Sequence, residues 1–128
     1  MTLGDDALAV AGIIGCVVAV IHGVLVQRIL VRPLEGITLP RLSGSNKRLL
    51  AALLHFSTFN WFVSGIALVY GAFFFSRQAK LVTALLVGSC YLFGAVGNLW
   101  SVRRPHPGWI LYGMAVFLIG FGLTRNFP

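Results

Sequence analysis

Residues 7–27, ALAVAGIIGCVVAVIHGVLVQ, form an unbroken apolar run without a charged side chain. A hydrocarbon core about 30 Å thick is crossed by roughly 20 helical residues. This segment therefore has the length and composition of a membrane-spanning helix. It does not read as a cleavable leader. Leaders open with positive charge, whereas Asp5 and Asp6 precede this run. Three further apolar runs follow, at about residues 49–75, 81–101 and 109–124. The expected fold is all-α: a polytopic membrane protein folded as an antiparallel bundle of four transmembrane helices, one domain over residues 1–128.

Composition points the same way. Hydrophobic residues make up 58% of the chain and charged residues 10%, against about a quarter charged in soluble domains. The longest polar stretch, residues 28–48, is too short for a soluble catalytic or receptor domain. The net charge is +7, but the basic side chains cluster at the ends of the apolar runs. Anionic lipid headgroups are the expected counter-ions there. Nucleic acid is not an expected partner, because no basic run carries interleaved aromatics.

Lysine and arginine accumulate on the cytoplasmic side of a membrane. Arg28, Arg32, Arg41, Lys47 and Arg48 lie in the first loop, and Arg103 and Arg104 in the third. Only Arg77, Lys80 and Arg125 lie on the other side, a split of seven to three. The expected setting is the bacterial inner membrane, with both termini on the periplasmic side and the seven basic residues at cytoplasmic headgroups. Trp100 and Trp109 flank the third loop, where interfacial tryptophans belong. In the first loop Ile29, Leu30, Leu34, Ile37, Leu39 and Leu42 alternate with arginines and prolines, a pattern suited to the membrane surface. Ser45 or Asn46 is expected to cap the second helix. Arg104-Pro105-His106-Pro107-Gly108 reads as a tight turn that makes the third and fourth helices antiparallel neighbours.

Helices in lipid associate through small residues that allow close approach. Ala11, Gly15, Ala19 and Gly23 recur at spacings of four. Such a stripe either packs inside the bundle or offers a docking face to a second copy or another membrane subunit. Cys16 and Cys90 sit within apolar runs and read as reduced thiols that pack as small hydrophobes.

Polar groups in hydrocarbon are costly and call for a reason. No Asp, Glu, Lys or Arg lies in the middle of any run, which argues against coupled cation transport. A mid-membrane layer holds Ser57, Asn60, Trp61 and Ser64 on the second helix, with Ser89 and Tyr91 on the third. It is the one feature that favours a small-solute channel or transporter. Nearer the cytoplasmic edge, the helical rise places His22, His55 and Asn98 roughly 8–10 Å inside, with Tyr112 in the same layer. Two histidines at matched depth on neighbouring helices suit the axial positions of a b-type haem or imidazole ligation of a metal ion. The same layer could hold a quinone or lipid headgroup. Against these stands a packing role, with neutral histidines hydrogen-bonded across the bundle to Asn98, Thr58 or a backbone carbonyl to fix register. Trp61 is either a core or lipid-facing aromatic or a stacking partner for a flat ligand. His106, in the third loop, reads as a surface residue touching headgroups. Nucleophile motifs, phosphate-binding loops, paired carboxylates and zinc spacings are absent from the sequence, so the side chains are not expected to catalyse a reaction.

Four short motifs carry a resemblance. They are His22-Gly23-Val24-Leu25 with Ile29-Leu30, Leu39-Pro40-Arg41-Leu42, His55 followed by Thr58 and Trp61, and His106-Pro107-Gly108-Trp109. In these the chain resembles a broad group of small four-helix bacterial inner-membrane proteins. The resemblance implies a fold and a location and brings no activity with it. The expected function is a non-enzymatic inner-membrane protein, a small accessory or oligomer-forming subunit of a membrane complex. The alternative is a ligand-binding bundle built on His22 and His55.

Overall fold

The computed structural model describes residues 2–36 and 43–126. It is all-helical: α1 (Leu3–Leu25), a π-helical segment (Val26–Val31), α2 (Arg32–Gly36), α3 (Gly44–Phe74), α4 (Arg77–Val102) and α5 (Pro107–Asn126). Four helices, the first running on from α1 into α2, are long and apolar enough to cross a membrane. Arg41, with Ile37, Leu39 and Leu42, lies outside the described residues.

The helix starts follow local chemistry. Thr2 caps α1 in a reciprocal capping box: its hydroxyl accepts from the Asp5 N–H at 3.1 Å, and the Asp5 carboxylate accepts from the Thr2 N–H at 2.9 Å. Ser43, not Ser45 or Asn46, caps α3, accepting from the Asn46 N–H at 3.3 Å. Ser76 caps α4 through the Ala79 N–H. Arg103 ends α4 in the left-handed region at φ 50°. Pro107 opens α5, where a missing N–H costs no helical bond.

The first helix extends further than residue 27. The basic residues that suggested a loop do not stop a helix, and the chain stays helical through residue 36. Pro33 alone carries a backbone penalty there, and it sits just past the wider π turn, in which the Arg32 N–H bonds to Gln27 O. The extra residue in that turn re-phases the side chains, and Gln27 faces α3.

Neighbouring helices run antiparallel. Gly12 lies against Gly65, and Gly23 against Thr58, which pairs α1 with α3. Gly4 meets Asn126 and Gly122 meets Leu8, pairing α1 with α5. Gly88 meets Ile119, pairing α4 with α5, while α3 and α4 pack more loosely. Between Gly12 and Gly65 the approach is backbone to backbone: a Cβ on Gly12 would lie 2.5 Å from Gly65 O. The core holds Leu8, Val18, Leu68, Tyr91, Tyr112 and Ile119 among small alanines. Ala11, Gly15 and Ala19 are buried and Gly23 is half-buried. The stripe on α1 is thus filled within the chain, Gly15 by the Tyr91 hydroxyl and Gly23 by the Thr58 methyl, which leaves it no free face for docking.

The end of the bundle that carries both termini is clasped. Asp5, 6% exposed, pairs with Lys80 at 2.6 Å and accepts from Asn126 Nδ2 at 3.3 Å. The Thr2 hydroxyl donates to Asn126 Oδ1 at 2.7 Å. Three helix ends are joined there by one carboxylate.

Candidate functional site

At the opposite, basic end the bundle opens. Arg28, Arg32, Arg48, Arg103 and Arg104 are exposed around this end, and Lys47 is half-buried. Close contacts at the clasped end hold α1 and α5 together. Towards the basic end they part around a cleft of about 120 Å³, walled by Val18, Ile21, His22 and Leu25 of α1 and by His106, Pro107, Gly108, Leu111 and Tyr112. Trp61 of α3 and Asn98 of α4 close it from the other helices. No Asp, Glu, Lys or Arg is among these lining residues.

Aromatic rings build the floor. Trp61 meets His22 edge-on at 4.6 Å and Tyr112 edge-on at 4.9 Å, and Tyr112 lies 5.0 Å from Tyr91. Tyr91 is fully buried, with its hydroxyl donating to Trp61 O at 3.4 Å. Tyr112 is also fully buried, yet its hydroxyl has no hydrogen-bond partner among the described residues. An orphaned buried polar atom of this kind costs about 1–3 kcal/mol. Thr58 Oγ1 shares that state.

The hydrogen-bond network assigns the other polar groups. The Ser57 hydroxyl donates its one hydrogen to Leu54 O at 2.7 Å, so it accepts from His22 Nε2 at 3.3 Å. A neutral His22 ring then has a bare Nδ1 as acceptor. His106 Nδ1 accepts from the Gly108 N–H at 3.1 Å, which places the hydrogen of a neutral ring on Nε2 as a donor. The Asn98 amide donates to Gly94 O at 2.7 Å, leaving Oδ1 to accept. These protonation and flip states follow from the bonding partners.

Of the layer expected from the sequence, His22, Asn98 and Tyr112 meet in this cleft and His55 does not. His55 is exposed, and its Nε2 donates to Gln27 Oε1 at 2.9 Å. The two histidines are thus committed to different neighbours, Ser57 and Gln27. A cavity of about 120 Å³ is also far below the roughly 300–1,000 Å³ of pockets that enclose drug-sized ligands. A bis-histidine haem does not fit these residues. Among the described residues no group of three His, Cys, Asp or Glu side chains could hold a metal ion. The hydrogen bond expected from a histidine to Asn98 or Thr58 goes instead to Ser57.

His106, expected at the surface, is half-buried and also lines the cleft. The prolines on either side were the available signal, since a stiff turn can fold a side chain back over the helix it starts. The mid-bundle layer splits in two. Tyr91 is buried in the core, while Asn60 and Ser64 line open grooves between α3 and α4 with Thr83, Ser89 and Cys90, and Trp61 packs against the core and borders one of them. Ser57 borders one of these grooves and also bonds His22. Cys16 and Cys90 are both free thiols.

Comparison with protein-family models, curated proteins and solved structures finds no match to this chain.

Proposed function

We propose that this chain is a non-enzymatic, multi-pass protein of the bacterial inner membrane that binds a small molecule in the cleft at its basic end. The termini face the periplasm and the cleft opens near the cytoplasmic headgroups. The observation that carries this reading is the convergence of His22, Trp61, Asn98, His106 and Tyr112, from all four spanning helices and the α4–α5 turn, on one cavity. Four of these five present hydrogen-bonding groups in a mostly apolar surround, the usual make-up of a small-molecule site. Native mass spectrometry of protein purified in mild detergent tests it. A retained small molecule in the wild type, lost in His22→Leu with Asn98→Leu, is expected. The same mass spectrum for both proteins, alongside intact fold by circular dichroism, would overturn it.

A second reading, association with a second copy or a larger membrane subunit, is favoured by the groove between α3 and α4. Among the described residues Asn60 has only the Cys90 thiol as a side-chain partner, at 4.0 Å, and an amide in hydrocarbon seeks a partner helix. Oxidative cross-linking through Cys90 in a Cys16→Ser background reads this directly. A band at twice the monomer mass, weakened in Asn60→Leu, is the expected result.

A further inference from the structure

We infer that the cleft takes the head of a lipid built on a single uncharged six-membered ring bearing a hydroxyl group, a phenol-headed lipid that reaches the site from within the bilayer. This rests on the ligand-binding reading above and adds the ligand's size, charge, hydrogen-bonding sense and path.

Size comes first. An apolar cavity of about 150 Å³ binds benzene. The cleft, at about 120 Å³ and partly open to the surface, is somewhat smaller, which limits the enclosed part of a guest to one ring and leaves a tail outside. Charge comes next: with no formal charge among the lining residues, burying an ionic head here would be uncompensated and costly. A neutral head is selected, even though arginines surround the mouth.

The hydrogen-bonding sense follows from the tautomers. His22 Nδ1 and Asn98 Oδ1 can only accept, while His106 Nε2–H, the second Asn98 Nδ2 hydrogen and the Tyr112 hydroxyl can donate. A ligand with acceptors alone, such as a ketone or ether, would leave both acceptors unpaired. A hydroxyl gives its hydrogen to one of them and takes one from His106. The edge-on rings of Trp61, His22 and Tyr112 supply an aromatic wall for a flat ring, a geometry in which aromatic pairs gain beyond burial alone.

The path is set by the rim. Ile21 and Leu25 border the cleft and are 49% and 38% exposed. Both are apolar residues on a spanning helix, so the opening between α1 and α5 faces acyl chains and the tail stays in lipid.

The test uses the full-length protein in mild detergent, with Trp100→Phe and Trp109→Phe so that fluorotryptophan labels position 61 alone. The fluorine resonance is followed while para-heptylphenol, its methyl ether, and heptylbenzene are titrated. Saturable shifts with the phenol, and binding at least about tenfold weaker for the ether, are expected. Asn98→Leu should narrow that difference, because it removes an acceptor that the phenol uses and the ether cannot. Should the ether and the phenol bind equally, the hydroxyl assignment falls while a ring-binding cleft stands. If none of the three produces a saturable shift, the single-ring assignment falls, while a small molecule lost from the native mass spectrum of the double variant would still uphold the ligand-binding reading. The three-probe comparison on the unaltered cleft keeps the test decisive should Asn98→Leu fail to fold.

Discussion

Replacing Gly15 by alanine probes how closely α1 and α4 are fitted. A Cβ at this position would overlap the Tyr91 hydroxyl and crowd its ring. Tyr91 cannot simply swing away: it is fully buried, tilted against Tyr112 at 5.0 Å, and tied to Trp61 O at 3.4 Å. Forcing an extra methyl into a filled core costs about 1–3 kcal/mol, and loss of the long tyrosine hydrogen bond adds at most about 1 kcal/mol. Alanine's better helix propensity returns about 1 kcal/mol. The net expectation is destabilisation of up to about 3 kcal/mol. Because the Cβ meets ring carbons as well as the hydroxyl, Tyr91→Phe should relieve only part of the clash. The double variant Gly15→Ala/Tyr91→Phe is then expected to recover part of the loss, while Tyr91→Phe alone costs at most about 1 kcal/mol. Equilibrium unfolding of detergent-solubilised protein by a denaturing detergent, followed by circular dichroism, measures all four corners of this cycle. A Gly15→Ala protein more stable than the wild type would refute the fit. So would a double variant no more stable than Gly15→Ala.

Three further outcomes are expected. Tyr112→Phe removes a buried hydroxyl without a partner, so the same unfolding assay should show unchanged stability or a gain of up to about 2 kcal/mol; a loss above about 1 kcal/mol would mean that the hydroxyl is bonded. Lys80→Met leaves the Asp5 carboxylate short of its ion-pair partner and should cost about 1–3 kcal/mol, below the 3–5 of a deeply buried pair because Lys80 retains some exposure. Adding Asp5→Asn should return much of that loss, and a double variant worse than Lys80→Met would contradict it. A periplasm-dependent reporter enzyme fused after Pro128 should be active, whereas activity only in a cytoplasm-dependent reporter would reverse the proposed orientation.

Depth along a helix was readable from residue counting, and direction around it was not. His22, Asn98 and Tyr112 share a layer because each lies a few residues from a charged end, and counting at about 1.5 Å per residue suffices for that. Whether a side chain points inward depends on rotation, which in soluble helices is given away by alternation of polar and apolar faces. Here exposed positions such as Phe59 and Phe93 are as apolar as buried ones, so that signal is missing and His55 was placed with His22. The π turn compounds this, because it re-phases Gln27 towards His55 without any sequence mark apart from the nearby Pro33. The Asp5–Lys80 pair went unread for a different reason. Each residue was counted only as a charge at a helix end, although both belong to first turns at the same end of the bundle. The four spans themselves were legible because length and hydrophobicity do not depend on rotation, and the ends shifted only where caps or uninterrupted helix carried them outward.

The clasp at the termini also governs when the fold can be completed. Asp5 emerges among the first residues of the chain, but Lys80 follows it by 75 positions and Asn126 by 121. Until the last helix is in place, that carboxylate lacks its full set of partners. The clasp therefore joins helix ends far apart in the chain, and a protein lacking Asn126 would leave the Asp5 carboxylate one partner short. Closure at one end contrasts with the other, where α1 and α5 part around the cleft.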